Sequence, residues 1–275
     1  MTPSFSVTIL GSGTSTGVPV VGCRCPVCTS PDPRNQRTRC SVLLRWAGRT
    51  VLVDTTTDFR QQALREGLSA VDAVLVTHTH ADHVNGIDDL RPFSFIADAP
   101  IPLYASPAAL ERLCRSFSYI FCESEDATVY RPRLQPSPLD GPFELFGRTV
   151  VPIPLIHGNG DALGYRVGPF AYLTDCNAIP AASASLLQGV EVLVIDALRY
   201  RPHATHFNIE QAIAAARRLG VRRALLTHLG HDVDHARLAA ELPEGIEVAY
   251  DGLRLEFPDE PPEAGSSLRQ PQSTF

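Results

Sequence analysis

Short apolar runs that stop at a histidine, aspartate or threonine recur along this chain, interleaved with stretches of helical spacing. Residues 5–10 read as a strand ended by the turn at 11–14, and residues 41–46 and 50–54 flank Ala47-Gly48-Arg49 as a hairpin. Residues 58–68 show helical spacing, with Asp58 as the N-cap and Gly67 as the stop. The run 71–76 predicts a strand, since four of its six residues are Val or Leu, and a helix begins between Gly86 and Arg91. Residues 106–116 form a further helix, opened by Ser106 and Pro107. The proline-rich span 122–142 reads as an irregular, exposed excursion near a site entrance. A second series of strands follows at 148–155, 162–167, 171–174 and 190–196. Then come a helix at 208–219 between Asn208 and Gly220, a strand at 223–227, a short helix at 234–240 and a strand at 246–251. Two hairpin-rich halves, each interleaved with helices, imply an α/β fold: a four-layer αββα sandwich in one domain over residues 1–257. The tail 258–275, rich in Pro, Glu, Ser and Gln, reads as disordered.

Composition narrows this little. The 275 residues are 44% hydrophobic and 20% charged, as in an ordinary globular protein with a sizeable core. A net charge of −6 argues against a large nucleic-acid-binding surface. The first residues lack the basic and apolar blocks of a signal peptide, and no window reaches the ~18 apolar residues of a membrane span. A cytoplasmic location is therefore expected. The odd count of seven cysteines agrees with a reducing compartment.

The chemistry is concentrated where strands end. Thr77-His78-Thr79-His80-Ala81-Asp82-His83 follows the strand at 71–76 directly and packs three imidazoles and a carboxylate into six residues. Solvated loop histidines gain nothing from such clustering, whereas Zn, Mn or Fe accept imidazole and carboxylate together. His157, Asp175 and His228 each stand just beyond an apolar strand, and loops at strand ends converge on one rim of a sandwich. Two ions need roughly seven or eight ligand positions between them. The assignment consistent with that number gives His78, His80 and His157 to one ion and Asp82, His83 and His228 to the other, with Asp175 bridging. Asp54, after the strand at 50–54, is expected to orient a ligand imidazole or the segment beneath it.

Cys23, Cys25 and Cys28 place three thiols in six residues beside Gly22 and Pro26, a structural zinc pattern that lacks its fourth donor. Cys40, Cys114, Cys122 and Cys176 have no partner spacing and read as small buried hydrophobes, Cys176 less firmly because it adjoins Asp175. Residues 199–208 carry Arg199, Arg201, His203 and His206 on a loop that opens a helix, an arrangement suited to a phosphate group. His203 either shares that work or is merely exposed. Arg91 either reaches the substrate or, as expected here, pairs with an aspartate. The glycine-rich loop 11–17 lacks a P-loop lysine and reads as a tight turn at the floor of the site.

The pattern T-H-x-H-x-D-H followed by an isolated His, an Asp and a last His resembles the metallo-β-lactamase superfamily of binuclear metallohydrolases. Residues 11–19, 22–28 and 227–231 make the chain similar to its phosphoribosyl 1,2-cyclic phosphate phosphodiesterase (PhnP-like) group of phosphonate catabolism. The resemblance spans residues 5 to about 255. It implies the superfamily fold, two divalent ions (Mn or Zn) at the active site, and His231 as the fourth ligand of a structural zinc. His206 would hold a phosphoryl oxygen or protonate the departing alkoxide, with Asp82 also in the catalytic set. The implied reaction is hydrolysis of a small cyclic phosphodiester such as 5-phosphoribosyl 1,2-cyclic phosphate, in a homodimer.

Two other readings share these motifs. A tRNA 3′-processing endoribonuclease would need a basic surface and a gripping arm, and the acidic chain with few basic residues in 122–142 counts against it. A non-catalytic accessory protein of quinone-cofactor biosynthesis would share the thiol loop but have an eroded histidine motif, which is intact here.

Overall fold

The computed structural model describes residues 5–121 and 130–258; the expectations for 122–129, including Cys122, and for the tail 259–275 lie outside the described residues. Among the described residues, fourteen strands form two seven-stranded sheets. The first contains β1 (Phe5–Gly11), β2 (Ser41–Trp46), β3 (Arg49–Val53), β4 (Ala73–Leu75), β5 (Ile101–Ala105) and β6 (Leu134–Pro138). The second contains β7 (Phe143–Leu145), β8 (Arg148–His157), β9 (Gly160–Val167), β10 (Phe170–Leu173), β11 (Val192–Asp196), β12 (Arg223–Thr227) and β13 (Ile246–Val248). The last strand, β14 (Arg254–Phe257), returns to pair antiparallel with β1 and completes the first sheet.

The two sheets repeat one plan. From β1 to β3 and from β7 to β10 neighbours are antiparallel; from β3 to β6 and from β10 to β13 they are parallel. Each parallel step needs a crossover, and the crossovers carry most of the helices. These are α1 (Phe59–Arg65), α2 (Ala81–Val84), α3 (Arg91–Ile96), α4 (Pro107–Ser116) and α5 (Ser118–Phe121) beside the first sheet, and α6 (Ala181–Leu186), α7 (Ile209–Leu219) and α8 (His235–Glu241) beside the second.

Strand alternation builds the layers. Val42, Leu44 and Trp46 of β2 and Val192 and Val194 of β11 face a shared central core, while Leu43 and Leu193 face the outer helices. Both faces are buried, so these strands read as continuous apolar runs. The layers are helix, sheet, sheet, helix. Among the described residues no helix is long and apolar enough to cross a membrane.

Three local expectations change. Asp58 stands at the start of α1 but does not cap it, because its carboxylate is taken by the backbone N–H and the guanidinium of Arg39. Part of the span 122–142 is regular: residues 134–138 form an edge strand, where Pro136 and Pro138 cost no ladder hydrogen bond on the open side. Cys114 is only partly buried, since it lies on α4 outside the stripe Ala109, Leu110 and Leu113 that packs inward. By contrast Asn208 caps α7 in a reciprocal box with Gln211, and Gly220 ends it at φ 68°.

Candidate metal centre

Loops at the ends of β3, β4, β8, β10, β11 and β12 converge on one rim. Asp54, Asp175 and His228 leave their strands at φ 65°, 52° and 60°, left-handed values that cost a non-glycine residue about 1 kcal/mol each. That turn aims each side chain back across the sheet ends.

His78, His80, His157 and Asp175 form one group, and Asp82, His83, Asp175 and His228 a second, with Asp175 in both; donor atoms within each group lie within 4.8 Å of one another. In the first group His80 Nδ1 and His157 Nε2 are 3.3 Å apart, and His78 Nε2 is 3.8 Å from Asp175 Oδ1. In the second, His83 Nε2 lies 3.1 Å from Asp175 Oδ2 and 3.3 Å from Asp82 Oδ2, and His228 Nε2 lies 3.3 Å from Asp175 Oδ1. Two nitrogen or oxygen ligands at 2.0–2.1 Å from one tetrahedral ion stand about 3.3 Å apart. The spacing therefore fits divalent ions held by these residues.

Polar accounting points the same way. The Nε2 atoms of His78, His83 and His228 are buried and make no hydrogen bond among the described residues. Leaving such a group without a partner costs about 1–3 kcal/mol, and an ion on those nitrogens removes the cost. The opposite nitrogens of His78 and His83 are already engaged, His83 Nδ1 with Asp54 at 2.7 Å and His78 Nδ1 with the Thr77 hydroxyl at 3.0 Å. His157 Nδ1 bonds the Thr205 carbonyl at 2.8 Å, and His228 Nδ1 is buried and makes no hydrogen bond among the described residues. Partners of this kind fix tautomer and orientation.

Electrostatics follow from burial set against neighbours. Burial opposes charge on Asp175, but His228, His83 and His78 outweigh it and hold the carboxyl ionised, well below the usual carboxylate range. Burial likewise opposes charge on His83 and His228; the carboxylates of Asp175 and Asp54 lift His83 well above the ordinary imidazole range, and Asp175 and Asp82 lift His228 to about 9. His78, buried and next to His83, is pushed toward neutrality. Asp54 is raised by its complete burial, against the pull of His83 and Thr77.

His206 stands beside this rim. Its Nδ1 bonds Asp196 Oδ2 at 2.7 Å, and its ring stacks on His228 with centroids 4.7 Å apart and lies 4.8 Å from His157. His203 packs against it at 5.2 Å and is held by Thr205, so it is near the site rather than in the ligand groups. A cleft of about 320 Å³ opens from His206 between Arg199, Arg201 and His203 on one side and Thr14–Thr16 and His231 on the other. The glycine-rich loop thus forms a wall, with Thr14 N–H donating to the Leu229 carbonyl and Leu229 N–H to that of Ser12. Arg91 pairs with Asp88 and covers the Tyr130 ring.

The thiols form a separate cluster. His231 Nδ1 is 3.3 Å from Cys23 Sγ and 3.6 Å from those of Cys25 and Cys28. Tetrahedral zinc with Zn–S near 2.3 Å and Zn–N near 2.0 Å calls for about 3.5 Å between such atoms. Hydrogen bonds from Cys28 and its neighbours lower the Cys25 thiol to about 6, while burial raises Cys28 to about 11. The sequence reading missed Asp196, which braces His206, and Thr205, whose carbonyl orients His157. The signal for the first was present: Leu193-Val194-Ile195-Asp196 repeats the apolar-run-then-aspartate pattern of Val51-Leu52-Val53-Asp54.

A β-lactamase superfamily domain model matches residues 49–229. The chain is similar to a crystal structure of a new diphosphatase from the PhnP family, with 44% identity and a TM-score of 0.86 over 92% of this chain and 97% of that one. It is 41% identical over 251 residues to an octanoyltransferase of Porphyromonas gingivalis, covering 89% of this chain but spanning only 50% of that protein's length. Zinc-bound PqqB from Methylobacterium extorquens shares the fold at 23% identity, with a TM-score of 0.73 over 92% of this chain and 100% of that one. The paired His/Asp groups, the sandwich that carries them and these matches together make the chain a PhnP-like member of the metallo-β-lactamase superfamily.

Proposed function

We propose that this protein is a metal-dependent hydrolase that cleaves a P–O bond in a small phosphodiester, such as the cyclic ester 5-phosphoribosyl 1,2-cyclic phosphate. The observation that carries the reading is the pair of ligand groups sharing Asp175 next to a histidine, His206, that belongs to neither four-residue group. When bound, two divalent ions would supply a nucleophile from water near neutral pH and offset charge on the phosphoryl oxygens.

His78, His80 and His157 would hold one ion, Asp82, His83 and His228 the other, and Asp175 would serve both. Because Asp196 accepts the Nδ1 proton of His206, the Nε2 atom is left for the substrate. Protonated there, it can donate to a phosphoryl oxygen or to the leaving alkoxide, after which Asp196 stabilises the ring in its remaining tautomer. Arg199 and Arg201 line a cleft that also holds His206 and Asp232, and two guanidinium groups against one carboxylate favour an anionic substrate. The protein's acidic balance, −6, counts against tRNA processing. The intact ligand groups favour an enzyme over an accessory protein.

A second reading is hydrolysis of a diphosphate, favoured by the 44% identity to the PhnP-family diphosphatase. It needs the same nucleophile and differs in the leaving group, a phosphate in place of an alkoxide. The test is a panel of 5-phosphoribosyl 1,2-cyclic phosphate, bis(p-nitrophenyl) phosphate, a nucleoside diphosphate sugar and precursor tRNA, each with Mn and Zn separately. Preference for the cyclic ester supports the leading reading; preference for the diphosphate selects the second; preference for tRNA defeats both.

A further inference from the structure

Arg37 is among the largest side chains in the protein to be fully buried, at 2% exposure, and no carboxylate pairs with it among the described residues. Burial lowers its guanidinium to about 10. A buried cation without an ion pair is expensive, so its contacts repay inspection. Nη1 donates to the Gly230 carbonyl at 3.1 Å, and Nη2 to Asn35 Oδ1, also at 3.1 Å. The same Asn35 oxygen accepts the His235 N–H at 2.9 Å, and Asn35 Nδ2 donates to Asp234 Oδ2 at 2.8 Å. Arg37 and Asn35 therefore grip the chain on both sides of His231.

Gly230 is the hub of that grip. It lies between His228, in the His/Asp centre, and His231, in the thiol cluster. Its N–H donates to the Leu198 carbonyl at 2.8 Å, and Leu198 N–H donates in turn to the carbonyl of Phe207, the residue after His206. Leu229 is buried and hydrogen-bonded to the 12–14 loop through both its backbone groups. The two residues that separate the two sites are thus pinned on every polar atom, which makes them a stiff link.

We propose that Arg37 is a positioning residue that couples the two sites, so that occupancy of the Cys/His cluster sets how tightly the His/Asp centre holds its ions. The proposal rests on the two-site metal reading above. Zinc on His231 fixes one end of the link, Arg37 fixes its middle, and His228 is presented at the other end. Loss of either restraint frees the same segment.

The experiment is a double-mutant cycle on the metal-loaded protein with Arg37→Met, His231→Ala and both together. It reads the affinity of the His/Asp centre for Mn by competition with a chromophoric chelator. Each single change is expected to weaken that affinity by about 10–100-fold, the range typical of residues behind metal ligands. The double variant should be no weaker than the worse single one. Arg37→Lys keeps one donor for Gly230 and should recover part of the loss; it also serves if the methionine variant does not fold. Additive losses, or wild-type affinity in both Arg37 variants, would overturn the coupling. A wild type that binds no ion at the His/Asp centre would instead defeat the two-ion reading itself.

Discussion

Asp54 and Asp175 occupy matching places in the two sheets. Each follows the strand where antiparallel pairing gives way to parallel pairing, β3 in one sheet and β10 in the other, and each has a left-handed backbone. Their surroundings differ. Asp54 is wholly buried and satisfied, accepting from Thr77 N–H at 2.8 Å, the Thr77 hydroxyl at 2.7 Å and His83 Nδ1 at 2.7 Å. Among the described residues Asp175 accepts a hydrogen bond only from Thr174 Oγ1, at 2.7 Å, and faces three imidazole Nε2 atoms that have no hydrogen-bond partner there. The same strand exit therefore serves two purposes. A carboxylate whose oxygens are taken by Thr77 and His83 is placed to orient a ligand, and one that faces nitrogens without partners is placed to share an ion with them.

The largest expected effect comes from breaking the second aspartate. Asp175→Ala removes the one residue common to both ligand groups, and kcat/KM should fall by at least about 10³-fold, as when other groups essential to transition-state stabilisation are removed, with loss of ions from the His/Asp centre. Steady-state kinetics and metal analysis check this together; retention of both ions would remove the bridging role. Asp54→Ala should act one step back. It leaves His83 Nδ1 and two Thr77 donors without partners, so metal affinity should drop about 10–100-fold and thermal stability should fall as well. A titration with a competing chelator separates that loss from a direct one. Thr77→Val sharpens the contrast further: it removes a hydroxyl that donates to Asp54 and partners His78 Nδ1, and should cost about 1–3 kcal/mol in a denaturant melt, with a smaller loss of metal affinity than Asp54→Ala.

Much of this was legible in the sequence because strand-end residues announce themselves: a buried strand is an apolar run, and an Asp or His that ends it stands out. The His78–His83 segment and the three thiols needed only local spacing. What was hidden depends on distant pairing. Strand β14 exists because residues 254–257 meet residues 5–8, which no local pattern encodes. Arg37 sits in an ordinary polar stretch, and its burial follows only from the packing of the 12–14, 35–39 and 228–235 segments around it.

A separate effect sets a background that belongs to neither aspartate. Burial, then Arg34 and Arg37, depress the His235 imidazole from the ordinary value near 6.5 to about 4. The unfolded chain thus binds that proton more readily than the folded one. Stability should be complete above about pH 6.5 and decline as pH falls toward 4. His235→Gln should flatten the difference in melting temperature between pH 7 and pH 4.5, relative to the wild type.

The most direct test is the metal count per chain in the wild type and in Asp175→Ala, by elemental analysis after gel filtration in metal-supplemented buffer. The account predicts about three ions in the wild type and one in the variant, the survivor being zinc held by Cys23, Cys25, Cys28 and His231. A single ion in the wild type, or an unchanged count in the variant, would contradict it.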